Sequence, residues 1–334
     1  MNERTPDAKA PPSILALFDG RPGNDAQTQG VAEALGVPYV RTPVAFRSRV
    51  ERFFDCGNGA YLADACKNLL HDLPKPDIIL STGGRAAYAA RYMVRHIAPN
   101  AFRVNVMTPG LWIFKPEMCV IPMHDSGFFF APNAFYTVGA PNDVARNVPS
   151  LEATERFFRQ LNVAPNHKLF GVCVGGAVKG KAPSQSDVAV FIAELKHALV
   201  KNAAAPLFTF SRRTPAFMTE ALRDAFPHAY HSDDVRMVYA ASDVLCVTGD
   251  SVNMCSEACS TGKCVLIALF PSVMRKKHVA FVELLTRRKY ARLLADRAPE
   301  DDAAPTPILT DADDAAQEIW RRFREASRFL RMPA

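Results

Sequence analysis

The sequence predicts an α/β protein of two similar halves, each a parallel sheet with helices on both faces. Three observations carry this expectation. Short apolar runs, too brief for helices, alternate along the chain with amphipathic stretches of helical period. Glycines mark the junctions where a run ends and the next helix begins. The alternation pauses around residues 141–166, where PND, VPS and VAPNH cluster, and restarts at LFGVCVGG. With 334 residues the chain is long enough for two domains that each bury a core.

In order, residues 13–19 (SILALFD) read as a buried strand that ends in the turn GRPG, and 25–35 as a helix closed by Gly36. A helix near 60–70, strand 77–83, helix 85–96 and strands at 102–107, 118–122 and 136–140 complete the first half. One amphipathic helix, 151–161, lies at the seam. The second half then runs strand 169–176, helix 186–201, strand 206–211, helices 215–226 and 235–241, strand 243–249, helix 251–261, strand 264–270 and a basic helix 275–294. A polar linker at 301–305 leads to a last amphipathic helix, 311–330. The expected domains are a flexible start at 1–12, a first Rossmann-like domain at 13–160, a second at 161–310, and a terminal segment at 311–334 whose helix packs back on the first domain. The two domains are expected to face a central cleft.

Composition narrows the function. Apolar residues make up 49%, charged residues 22% and aromatics 10%, which excludes a disordered chain or a coiled-coil rod. Forty Lys and Arg against 34 Asp and Glu leave a net charge of +6, a mild excess that suits an anionic ligand or a membrane surface without requiring nucleic acid. The opening MNERTPDAKAPP has no apolar core of a secretory leader, and no later run reaches the roughly 18 apolar residues that span a bilayer, so a cytoplasmic address is expected. Eight cysteines in mostly apolar contexts read as small buried residues in the reduced state.

In open parallel sheets, ligands meet the carboxyl ends of strands, where helix-terminal amides favour anions. Four junctions fall there: FDGRPGNDAQ, LSTGGRAA, VGGAVKGKAPS and VTGDSVNMCSEACSTGK. The third approaches the nucleotide-hydrolase pattern GxxxxGK[ST] through Gly175, Gly180 and Lys181, but Ala182 lacks the magnesium-binding hydroxyl and Pro183 follows. A plain surface loop competes with a loop whose amides and lysines approach a diphosphate. In the fourth junction Asp250 or Ser251 can cap the helix, leaving first-turn amides for phosphate, with Glu257 placed for ribose hydroxyls. A merely solvated Glu257 is the alternative, and its small neighbours Ala258 and Cys259 favour burial.

Arg212 and Arg213 in FSRRTP stand at another strand end. Cys255, Cys259 and Cys264 match no zinc or iron–sulfur spacing, so no metal is expected. The basic helix sets Arg275, Lys276, Lys277, Arg287, Arg288, Lys289 and Arg292 beside Phe281, Leu284 and Leu285, a pattern that suits either an anionic lipid surface or, with more weight, a core stripe under a solvated face.

Together, DGRPGNDAQTQGVAEALG, STGGRAA, IPMHD, GAPNDV, SRRTP and TGDSVNMCSEACSTGKCV resemble the ELM1 family over residues 13–330. That family is similar in layout to GT-B glycosyltransferases. The resemblance implies a metal-independent, inverting transferase that moves a sugar from a nucleotide-sugar donor, its substrate and not a cofactor, to a cell-envelope or lipid-linked acceptor. It implies Gly175, Gly176 and Lys179 beside the diphosphate, the amides of Ser251, Val252 and Asn253 facing it, and Glu257 on the ribose. Arg212, Arg213 and Lys179 would neutralise the leaving nucleotide. Asp25, Asp125 and His124 are the candidate catalytic groups on the acceptor side; relatives carry a histidine where this chain has Asn24, so none is transferred there. The protein is expected in the cytoplasm, with peripheral contact at the inner face of the membrane as a further expectation. A UDP-sugar 2-epimerase and a non-catalytic scaffold are the alternatives.

Overall fold

The computed structural model describes residues 11–47, 58–109, 115–125, 132–164, 167–296 and 306–329. The expected flexible start, apart from its last two residues, and the 301–305 linker lie outside them. The chain divides into two compact units, one drawn from Met1–Ile121, Phe128–Tyr136 and Ala312–Ala334, the other from Pro122–Gly127 and Thr137–Asp311.

The first unit contains β1 (Ile14–Phe18), α1 (Pro22–Ala34), β2 (Tyr39–Pro43), α2 (Asp64–Asp72), β3 (Ile78–Thr82), α3 (Gly83–His96), β4 (Phe102–Val106), β5 (Met118–Pro122) and β6 (Ala134–Thr137). Its sheet runs β2-β1-β3-β4-β5-β6, and the strand order reverses between β1 and β3. β1, β3, β4 and β5 are buried along their whole length, which is why β1 and β5 read as apolar runs, while β3 and β4 carry the buried polar residues Ser81, Thr82, Arg103 and Asn105 among apolar ones. β2 is a half-exposed edge whose YVRTP carries no such run, and the sequence reading missed it. The Arg41 guanidinium on that edge lies 3.8 Å from the centre of the Phe18 ring.

The second unit follows with a 3-10 turn at Met123–Asp125, then α4 (Leu151–Gln160), β7 (Leu169–Val174), α5 (Gln185–Asn202), β8 (Ala205–Phe210), α6 (Ala216–Ala225), β9 (Tyr230–His231), α7 (Val235–Ala241), β10 (Val244–Thr248), α8 (Val252–Cys259), β11 (Cys264–Ala268), α9 (Lys276–Arg287) and β12 (Arg292–Leu293). Its six strands are parallel in the order β12-β11-β10-β7-β8-β9, so the reversal falls between β7 and β10. Buried clusters cover both faces of this sheet.

The last helix, α10 (Asp311–Phe329), returns to the first unit. Ala315, Ala316 and Ile319 pack among Ile14, Phe18, Ile78 and Val104. Trp320 Nε1 donates to the Leu35 carbonyl at 3.2 Å, and Arg322 to that of Asn133 at 2.7 Å.

Two boundaries differ from the sequence reading. α4, placed before the seam, belongs to the second unit because Phe157 enters the same core as Leu169 and Leu245. The basic helix ends at Arg287, seven residues early, because Lys289 takes a left-handed φ of 63° and the Tyr290 amide closes back on the Leu285 carbonyl, freeing the chain to form β12. Phe281, Leu284 and Leu285 are buried in the core, so the apolar stripe that a lipid-facing α9 needs is not presented. Among the described residues no helix is long and apolar enough to cross a membrane, and the seven described cysteines are buried and form no disulfide with one another.

Small side chains on α8 serve the strand-end segment that follows β6. The hydroxyl of Ser256 accepts from the Ala140 amide at 2.9 Å, that of Ser260 accepts from Asn142 at 3.0 Å, and a Cβ at Gly139 would lie 2.5 Å from the Ser256 hydroxyl. The Asp311 carboxylate takes the amides of Val138 and Gly139 at 2.9 and 2.6 Å.

Behind the same helix, the Lys263 ammonium donates to the carbonyls of Tyr239, Ala240 and Ser242 at 2.7, 2.8 and 2.6 Å, satisfying the end of α7. Lys263→Met keeps the aliphatic stem and leaves those carbonyls without their donor. It is expected to cost about 1.5–3 kcal/mol in chemical denaturation; an unchanged midpoint would mean that water replaces the ammonium.

Candidate functional site

The reversal point of the second sheet gathers most of the predicted donor-binding residues. β7 runs into Gly175 and Gly176, β8 into Arg212 and Arg213, and β10 into Gly249, Asp250 and Ser251. The Gly175 amide donates to the Thr248 hydroxyl at 2.7 Å and the Gly176 amide to Asp250 Oδ2 at 2.9 Å. Arg213 lies 3.4 Å from that same oxygen and donates to the Ala177 carbonyl at 2.9 Å. Thr214 closes the arrangement, its hydroxyl lying 2.6 Å from the Gly175 carbonyl and 3.0 Å from that of Val174.

Both glycines are required by contact. A Cβ at Gly175 would sit 2.3 Å from Asp250 Oδ2, and one at Gly176 would sit 2.3 Å from the Arg213 carbonyl oxygen. This mutual seating of three strand ends is the signature of a built loop.

The rest of the third junction departs from a phosphate-wrapping loop. Val178 and Lys181 exchange backbone hydrogen bonds at 2.9 and 3.1 Å around Lys179 and Gly180, whose φ angles of 50° and 84° make a tight primed turn. Ser184 and Asp187 then form a capping box on α5, so that helix start is already satisfied. The nucleotide-hydrolase pattern therefore has no counterpart in the geometry. Lys179 stands exposed on this turn, and neither it nor the exposed Arg212 has an ion-pair partner among the described residues.

Ser251 occupies the N-cap position of α8, but its side chain makes no capping bond. The start of α8 at Val252 thus keeps the anion-facing character of a helix N-terminus. Two turns along, Glu257 is half-buried and Tyr239 donates to its Oε2 at 3.1 Å. Burial pushes the Glu257 carboxyl up to about 7; the Tyr239 bond and Arg236 oppose the rise and Asp143 adds to it. Arg236 itself is held bidentate by Asp143 at 2.6 and 2.7 Å.

Because the folded value lies above the ordinary 4.5, the native state holds this proton more tightly than the unfolded chain. The resulting stability is complete below about pH 4.5 and is lost as pH rises through about 7. Wild-type protein is expected to lose stability relative to Glu257→Gln across that window; parallel melting curves would place the titration elsewhere.

The candidate catalytic groups separate: His124 and Asp125 fall in the second unit and Asp25 in the first. His124 is 3% exposed in its side chain, packs with its ring centre 4.9 Å from that of Phe281, and has Nε2 3.4 Å from Asp125. Lys277 reaches Asp125 at 2.9 Å. Burial raises the Asp125 carboxyl, but the bonds from His124 and Lys277 outweigh it and hold the group well below the usual carboxylate range. A carboxylate held in this way suits a fixed charge better than a proton acceptor. Asp25 lies in the first turn of α1, at the reversal point of the first sheet. Burial and the neighbouring Asp19 raise its carboxyl, and its Oδ1 is enclosed without a hydrogen bond. There Asn24 donates to Asp19 at 3.2 Å, and the hydroxyls of Thr28 and Thr82 meet at 2.7 Å.

Sequence reasoning missed Thr248, Thr214 and Tyr239, whose partners lie on other strands and helices. It also assigned Asp250 only to capping.

Two parallel six-stranded sheets with strand-end sites of this kind define an α/β protein of the GT-B type. Solved structures of similar fold include UDP-GlcNAc 2-epimerase from Neisseria meningitidis bound to UDP-GlcNAc, with a TM-score of 0.52 and 12% identity over 96% of this chain and 94% of that one. Arabidopsis thaliana UGT89C1 complexed with UDP gives a TM-score of 0.51 and 10% identity over 96% and 94% of the two chains. At these identities the shared property is the fold. Residues 22–323 match the Mitochondrial fission ELM1 family, and the chain belongs to it. It is also 24% identical over 329 residues to the uncharacterized protein RP120 of Rickettsia prowazekii (strain Madrid E), covering 84% of this chain and 90% of that protein.

Proposed function

We propose that the protein is a glycosyltransferase that takes its sugar from a UDP-sugar, with the nucleoside diphosphate held at the reversal point of the second sheet. The observation that carries this reading is the joint seating of the Gly175–Gly176 turn, Arg213 and the uncapped start of α8. Amides and a guanidinium at one strand edge suit a diphosphate. Glu257 offers Oε1, which has no hydrogen bond among the described residues, to a ribose hydroxyl while Tyr239 fixes Oε2. Arg212, Arg213 and Lys179 neutralise the leaving diphosphate without a metal ion. The acceptor is a lipid-linked or cell-envelope glycan. The UDP and UDP-GlcNAc bound in solved proteins of similar fold support uridine as the base.

Titration calorimetry with UDP tests the reading. Glu257→Ala is expected to weaken binding by about 1–3 kcal/mol, the loss of a buried hydrogen-bonding partner. A folded Glu257→Ala protein with unchanged affinity would remove the ribose assignment, and wild-type protein that does not bind UDP would overturn the whole reading. Incubation with UDP-GlcNAc in deuterated water separates transfer from epimerisation, since deuterium entering sugar C2 would establish the latter.

A further inference from the structure

Asp250 stands where a diphosphate ligand and the protein compete for the same donors. Its side chain is fully enclosed, with 0% exposure, while Arg213 beside it is 44% exposed. Oδ2 takes the Gly176 amide and lies against Arg213; Oδ1 is buried and has no hydrogen-bond partner. A buried carboxylate with one unsatisfied oxygen is stable as an anion only while its cationic neighbour stays in place. A diphosphate bound at this strand edge draws the exposed end of Arg213 to itself and adds negative charge close to Asp250. Both effects penalise the carboxylate anion and neither penalises the neutral acid.

On the reading that this is the diphosphate site, we infer that donor binding is coupled to the uptake of a proton by Asp250. The proton comes from solvent, and the neutral acid keeps accepting the Gly176 amide so that the turn stays seated. Asp250 is thus a positioning residue that acts through the glycine turn and Arg213. Its surroundings already lean this way, because burial raises its carboxyl, while the Gly176 amide, the Thr248 hydroxyl and Arg213 lower it. The other titratable groups facing this corner are Cys255 on α8, whose thiol burial pushes far up, and His278 on α9, whose imidazole is pushed down by burial and by Lys277, His124, Arg275 and Arg213. Of these, His278 can also gain a proton near neutrality and serves as the control, and so can Glu257 further along α8, whose carboxyl burial pushes up to about 7.

Calorimetry with UDP-N-acetylglucosamine in two buffers of different ionisation enthalpy reads the proton count directly, because a diphosphate esterified at both ends does not titrate near neutrality. Because Glu257 sits on the proposed ribose, the counts are taken in Glu257→Gln protein, which is expected to take up as much as about one proton per bound nucleotide, with affinity falling as pH rises. Adding Asp250→Asn, the neutral isostere, is expected to abolish both the uptake and the pH dependence of affinity, whereas adding His278→Gln retains the uptake. Glu257→Gln protein that binds without proton uptake overturns the inference and leaves the donor site standing. So does uptake that persists with Asp250→Asn or vanishes with His278→Gln, as does a folded Asp250→Asn protein that fails to bind. Should Asp250→Asn not fold, the Glu257→Gln protein with and without His278→Gln decides. Wild-type protein that binds neither this nucleotide-sugar nor UDP overturns the donor-site reading and the inference together.

Discussion

Gly176→Val is expected to lower UDP affinity by roughly a hundredfold or more, the scale of loss when a binding loop is displaced by about an ångström. The cause lies in backbone contact. A Cβ at this position meets the Arg213 carbonyl oxygen at 2.3 Å and the Thr214 Cα at 2.7 Å, and neither is the movable end of a side chain. The residue also has a φ of 158°, at the margin of a region that side chains seldom enter. Relief requires the turn to lift from the FSRRTP segment, which breaks the Ala177 amide bond to the Arg213 carbonyl and pulls the Gly176 amide from Asp250. Stability is expected to fall as well, by about 1–3 kcal/mol for an overpacked site. Calorimetry on protein shown by circular dichroism to be folded checks the affinity. Undiminished UDP binding would take the turn out of the site.

Ile319→Ala is expected to destabilise the protein by about 2–5 kcal/mol, the range for a fully buried aliphatic side chain cut to a methyl. Ile319 is 0% exposed and meets the first sheet from the only helix of that core that comes from the far end of the sequence. Ala315 and Ala316 beside it are already small, so little nearby volume can collapse into the gap. Denaturation followed by the fluorescence of Trp320, one residue away, reports the change. A loss under about 1 kcal/mol would show that the helix contributes little to that core.

The sequence made legible those elements whose signal is local. β1, β5, β7 and β11 are buried along their length and read as nearly unbroken apolar runs. β3, β4 and β10 are equally buried, but Ser81, Thr82, Arg103, Asn105 and Thr248 interrupt them, with partners such as Asn105 for Ser81 and Glu117 for Arg103. β2, β9 and β12 are edge strands, and their placement is decided by the neighbouring strand they pair with. The end of α9 was missed because the left-handed residue there is Lys289, where a glycine would have announced the turn. In the candidate site, paired glycines after an apolar run revealed the Gly175–Gly176 turn. What holds that turn is an oxygen of Asp250, 74 residues further on, and no local pattern encodes that bond. Tyr239 on Glu257 is hidden for the same reason.

The return of the terminal helix to the first sheet has a consequence for biosynthesis. Trp320 bonds to a carbonyl 285 residues earlier, so synthesis must pass residue 320 before that contact can form. Until then Ile14, Ile78 and Val104 wait without the helix that covers them in the native protein. The second unit, lying between those segments in the sequence, emerges complete while the first is still missing a layer. Nascent chains stalled before residue 311 therefore present a sticky apolar sheet face, the kind of surface that holdase chaperones shield and that aggregates when they do not.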